Sequence, residues 1–185
     1  MIGLALLRVT VGGLFMGHGL QKLAGWFEGH GLHATGESFE AMGLKPGKAH
    51  ATAAGLSETT GGALVAAGML TPVGASLLSG TMITAIRKVH APHGPWASKG
   101  GYEYNLVLLA VVFAITDLGP GRLSLDEALG IHRAGLRWAI AQLLVGALGS
   151  TVAVAIGERE RRPSAAEAST QNGGVPTRQP QGSAA

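Results

Sequence analysis

The chain has no cysteine among its 185 residues. That excludes disulfides, thiolate metal sites and thiol redox chemistry carried by this chain, and it leaves the compartment open. Charge is scarce as well. Asp, Glu, Lys and Arg make up 14% of the residues, against roughly 25% in an average soluble domain. Aromatic residues reach only 5% and the net charge only +3. No basic stripe is interleaved with aromatics, so nucleic acid is not an expected partner. The N-terminus lacks a basic leader and a clean small-residue cleavage site, and it does not read as a cleaved signal. What is present is apolar: 46% hydrophobic residues, 30 glycines and a mean hydropathy of +0.29. The length allows one modest domain. Glycine is more frequent in membrane helices than in soluble ones, and this balance points to an all-α integral membrane protein.

Five apolar segments follow in order. The first covers residues 2–23. Arg8, His18 and Lys22 share an arc of about 80° on it at ~100° per residue. Gly13 and Gly17 form a GxxxG, which permits close helix approach. Residues 24–48 read as a Gly-rich loop, with "SFEAMG" as a short interfacial helix and Trp26 and Phe27 at the interface. The second segment, 51–70, carries Glu58 inside an apolar run. The third, 71–88, follows so closely that the two form an antiparallel hairpin, with Pro72 at a helix start. Ser76, Gly80, Thr84 and Arg87 recur on one of its faces. A Pro/Gly-rich loop covers 89–102. The fourth segment, 103–118, is short for a span. "GPGRLSLDEALG" then reads as a turn and a short helix capped by Ser124, with Glu127 in capping-box spacing. The fifth segment, 136–156, is long and apolar enough to cross a bilayer. The polar remainder, 157–185, reads as a disordered tail.

The pieces "LLRVTVGGLFMGHGLQKLAGW", "ETTGGALVAAGMLTPVGA", "AIRKVHAPHGPW", "GGYEYN" and "GPGRLSLDEALG" stand in an order and spacing that resembles the DoxX family of small bacterial membrane proteins. The resemblance covers residues 4–130. It implies a four-helix membrane bundle over 1–130, with 131–156 as an additional fifth transmembrane helix. Some relatives look like membrane subunits of quinone-linked sulfur oxidation, and others are associated with oxidative-stress assemblies. The resemblance carries over no set of catalytic residues.

Alternating spans put loops 24–48 and 89–102 on one membrane face. At ~1.5 Å per residue, His18 lies roughly 8 Å and Glu58 roughly 10 Å in from that face. Gln21, Lys22, Arg87, His90, Glu103 and Asn105 lie at or near it. Intramembrane ionisable groups are costly in lipid and mark functional positions. These eight residues therefore form the candidate binding cluster. An anionic Glu58 requires protonation or a partner, and His18, Lys22 and Arg87 lie at suitable depth. Arg8 belongs to the other half, where Asp117 is its nearest partner by depth. His30, His33, His90 and His93 are weaker candidates for a metal such as zinc, copper or iron. The resemblance implies a bacterial plasma-membrane protein, and Lys/Arg counts favour the N-terminus outside and the C-terminus in the cytoplasm.

Three functions are compatible with this pattern. The first is an accessory subunit of a redox or quinone-linked membrane assembly, with quinone reached through a partner and electrons supplied by other membrane or soluble redox proteins. The second is a small-molecule permease or channel, for which a homo-oligomer enlarges the bundle. The third is a structural membrane interaction protein whose polar cluster fixes helix register.

Overall fold

The structure, a computed structural model, describes residues 2–131 and 133–159. The described residues are helical and contain no strand. The helices are α1 (Ile2–Ala24), α2 (Gly31–Ala41), α3 (Gly47–Ala67), α4 (Thr71–Ala85), α5 (Glu103–Leu118), α6 (Leu125–Ala128) and α7 (Leu136–Arg159). A wider π-type turn, Ile86–His90, extends α4.

Local chemistry sets the boundaries. Gly68 closes α3 in the left-handed conformation, at φ 62°. Its N–H and that of Met69 return to the carbonyls of Val65 and Leu64, which satisfies the last turn. Pro72 sits in the first turn of α4, where its missing N–H costs nothing. Ser124 caps α6 by accepting from the Glu127 N–H at 3.2 Å, as the capping-box spacing requires.

Burying apolar area gives little drive between helices surrounded by lipid, so close packing of small residues decides the arrangement. α1 and α3 run antiparallel and meet at glycines. A Cβ on Gly12 would strike the carbonyl of Gly62 and the backbone of Ala66, and one on Gly19 would strike Gly55 and Thr59. The GxxxG reading is corrected here: a Cβ on Gly13 or Gly17 would meet nothing within 4 Å. α4 and α7 run parallel. Gly146 of α7 packs against Ser76, Ser79 and Gly80, so the Ser76/Gly80/Thr84/Arg87 face is the docking face for α7. Val11, Phe15, Val65, Ala75, Leu78, Val112 and Ile115 fill the centre.

The outer surface is apolar. Leu6 and Leu14 on α1, Val107 on α5, and Leu144, Leu148 and Val152 on α7 are exposed. Two helices, Ile2–Ala24 and Leu136–Arg159, are long and apolar enough to cross a membrane. Exposed leucines around buried polar groups match lipid as the surrounding solvent.

Two boundaries differ from the sequence reading. The stretch 24–48 holds a helix of 11 residues, α2, which starts well before the expected short helix "SFEAMG". α7 continues through Glu158 and Arg159. The rest of the expected tail, 160–185, lies outside the described residues.

Candidate functional site

A cavity of about 560 Å³ opens between the helices. α1 contributes Phe15, His18 and Lys22, and α3 contributes Glu58. α4 and its π-type turn bring Lys88 and His90, and α5 brings Asn105. α7 closes the remaining side with Gly146, Gly149, Ser150 and Ala153.

An ion pair holds the α1–α3 wall. Lys22 Nζ donates to Glu58 Oε2 at 2.6 Å, with side-chain exposures of 24% and 7%. The pairing meets the requirement that a carboxylate taken out of water find a partner. Lys22 also reaches back to the His18 carbonyl at 3.4 Å. Gln21 does not line the cavity. Its Oε1 lies 3.0 Å from His18 Nδ1 and its Nε2 donates to the Phe27 carbonyl, so it orients His18 from the loop side.

Two further members of the expected cluster do not line the cavity. Arg87 turns to α7, where it donates to Thr151 Oγ1 at 3.2 Å and to Ser150 Oγ at 3.5 Å. Helical rotation explains this: Arg87 continues the face that docks α7, while Lys88 takes the cavity side. Lys88 meets Glu158 at 3.4 Å. Glu103 sits in the first turn of α5 and is not a lining residue; a carboxylate there favours the helix N-terminus.

The histidine pairs are not assembled for a metal. His33 faces Glu37 at 3.5 Å on an exposed surface of α2. His90 Nδ1 bonds the Gly100 carbonyl at 2.7 Å, and His93 Nδ1 bonds the Val89 carbonyl at 3.0 Å. His30 precedes α2 and is exposed. Among the described residues, no group of three or more His, Asp or Glu is placed to hold a metal ion.

At the opposite end, Arg8 is 1% exposed. Its Nη2 donates to the Leu123 carbonyl at 2.5 Å, and the Asp126 carboxylate attracts it. Asp117 is not its partner, a correction to the pairing by depth. The chain folds α6 back over the α3–α4 turn, which carries Asp126 inward. Asp126 accepts from the Leu70 N–H at 2.8 Å, the Thr71 N–H at 3.1 Å and Thr71 Oγ1 at 2.9 Å. It thereby satisfies the orphan donors that open α4.

Helices with exposed leucines and valines around an internal cavity define a small helical membrane protein. The DoxX family model matches residues 3–91, and that stretch of the chain belongs to the DoxX family. The matched stretch contains Lys22, Glu58, His18 and His90, but neither α5 nor α7. No curated protein and no solved structure matches the chain.

Proposed function

We propose that this DoxX protein is a multi-pass membrane protein whose cavity receives the head of a lipid-soluble molecule, and that it serves as an accessory subunit of a redox or quinone-linked assembly. The observation that carries the reading is the cavity of about 560 Å³, apolar in most of its lining, with the Lys22–Glu58 pair and His18 and His90 on its wall. Sites of this size and character hold small amphiphilic ligands. A quinone-type ring fits such a wall because its apolar body faces leucine and glycine while its oxygens reach polar groups. The chain shows no flavin, haem or iron–sulfur signature of its own, so electrons come from a partner protein.

In this reading α1, α3, α4 with its extension, α5 and α7 all cross the bacterial plasma membrane. The N-terminus lies outside and the C-terminus in the cytoplasm, as the Lys/Arg bias favours. The apolar packing of Val11, Val65, Leu78, Val112 and Ile115 lies between the cavity and Arg8. That arrangement supports a one-sided binding site over a through-path for a permease.

Native purification from membranes, followed by mass spectrometry of bound lipids, quinones and proteins, tests the proposal. The expected result is a stoichiometric lipophilic ligand together with redox partners. Pure protein that retains neither, and that leaves quinone reduction in membranes unchanged, sinks it.

A further inference from the structure

The far end of the protein carries a second concavity. It measures about 320 Å³ and forms where the end of α5 meets the segment leading into α7. Leu118 in its wall lies about 20 Å along α5 from Asn105 in the first cavity, at ~1.5 Å per residue. Gly119 and Gly121 take part in it, each at φ 79°, a conformation that glycine adopts freely. A Cβ on Gly119 would stand 2.9 Å from the Ala134 Cβ. The Gly135 N–H donates to the Asp117 carbonyl at 2.9 Å. The turn is thus packed and tied against the start of α7.

The lining is cationic. Arg122 and Arg133 both border the pocket, and both are exposed. The Arg133 guanidinium stands 6.0 Å from the centre of the Trp138 ring, a contact that favours a cation held at this place. The N–H groups of Gly119, Gly121 and Arg122 find no acceptor among the described residues. Successive backbone N–H groups in a turn form an anion-binding concavity. Glu127 also lines the pocket and is itself engaged. Two guanidiniums against one carboxylate leave one net positive charge.

The surroundings are apolar. Leu118, Leu123, Leu129 and Leu136 are each at least 60% exposed. They belong to the same connection, and Leu136 opens the helix that is long and apolar enough to cross a membrane. Cations beside exposed leucines at the end of such a helix match the boundary between lipid head groups and acyl chains.

We infer that this second pocket binds the phosphate of an anionic phospholipid, whose acyl chains run over the exposed leucines. Arg122, Arg133 and the free N–H groups receive the phosphate oxygens. The leucines favour a lipid over a soluble phosphate, which gains nothing from them. The net positive charge favours an anionic head over a zwitterionic one, whose own cation the arginines repel. The site is separate from the cavity between the helices, so its failure leaves that reading standing.

The test uses the full chain in a neutral detergent. Native mass spectrometry follows titration with phosphatidylglycerol or phosphatidylcholine of identical acyl chains. The first phosphatidylglycerol is expected to bind about twentyfold more tightly than the first phosphatidylcholine, roughly fivefold for each arginine. Arg122→Gln leaves the Arg133–Trp138 contact in place and is expected to narrow the ratio to about fivefold. Adding Arg133→Gln is expected to remove the preference, with the melting temperature unchanged. Lys45→Gln with Lys48→Gln removes the same charge from exposed positions outside this pocket and is expected to keep the preference. Glycerol 3-phosphate, which has no acyl chains, is expected not to displace the lipid at equal concentration. Equal affinity for the two lipids in the unaltered chain overturns the inference without recourse to any variant. An equal loss in the lysine pair assigns the preference to overall charge and overturns the site. Displacement by glycerol 3-phosphate overturns the lipid as its occupant.

Discussion

Lys22 on α1 donates to Glu58 on α3 at 2.6 Å, across the glycine-packed seam between the two helices. The pair is asymmetric: 24% of the Lys22 side chain is exposed, against 7% for Glu58. Lys22→Ala strands a buried carboxylate, at an expected cost of about 2 kcal/mol, moderated by the partial exposure of the pair. Glu58→Gln is expected to cost less, because the freed ammonium can extend along its stem towards the interface. The double change Lys22→Met with Glu58→Leu is expected to recover most of the loss. Melting temperatures in one detergent measure all three. A double variant as unstable as Lys22→Ala would show that the pair contributes more than mutual neutralisation.

Asp126 tests whether the short α6 is a fastening or a passenger. It is 1% exposed and accepts three hydrogen bonds from Leu70 and Thr71. Asp126→Ala leaves two backbone N–H groups unsatisfied at the start of α4 and removes the counter-charge of Arg8. The expected loss is on the order of 3 kcal/mol. Thr71→Val removes one of these bonds and is expected to cost about a third as much. Arg8 Nε and Nη1 have no hydrogen-bond partner among the described residues, so Arg8→Met should partly rescue Asp126→Ala. Additive losses in the double variant would mean that the two residues act independently.

Much of this architecture is legible in the sequence, and the misses have physical reasons. The α3–α4 hairpin, the Ser124 cap and the recurrence of Ser76, Gly80 and Thr84 on one face follow from local spacing. Glu58 announces itself as a carboxylate inside an apolar run. Asp126 does not, because it sits in a polar segment that reads as solvated, and only the return of α6 onto the α3–α4 turn buries it. α2 is hidden by composition: "GLHATGESFEA" is short, opens on glycine and holds a second one at Gly36, so it reads as loop. α7 carries Gln142, Gly146 and Ser150 at four-residue spacing, but that spacing does not say which helix the face docks on. Gly146, Gln142 and Ser150 mark that face only once α4 lies beside it.

Glycine position separates packing from composition. Gly12→Ala and Gly19→Ala place a methyl against the α3 backbone and are expected to destabilise by at least about 2 kcal/mol through forced helix separation. Gly13→Ala and Gly17→Ala point where nothing lies within 4 Å and are expected to be neutral or to gain up to roughly 1 kcal/mol from helix propensity. Thermal melts of the four single variants give the comparison. Equal losses at Gly13 and Gly12 would place the α1 interface on a different face.

The α4–α7 seam contains a second contrast. Gln142 is 1% exposed; its Oε1 accepts from Ser79 Oγ at 2.9 Å, but its Nε2 has no partner. Gln142→Leu removes that unsatisfied amide, and Ser79 can turn its hydroxyl to a helix carbonyl, as Ser76 does towards Pro72. Replacing both a buried polar group and its unmet hydrogen is expected to change stability by less than about 1 kcal/mol, or to raise it. Gly146→Val is the opposite case. Its Cβ would stand 2.7 Å from the Ser79 Cβ and 2.9 Å from the Gly80 nitrogen, so α7 must move off α4. The cavity then loses the wall made by Gly149, Ser150 and Ala153. Cysteine pairs introduced at Thr84 and Ser150, whose side chains are 2.9 Å apart, report the separation directly. Efficient cross-linking is expected with Gln142→Leu in the background and is expected to fail with Gly146→Val. Equal cross-linking in both would mean that α7 holds its place without the glycine contact.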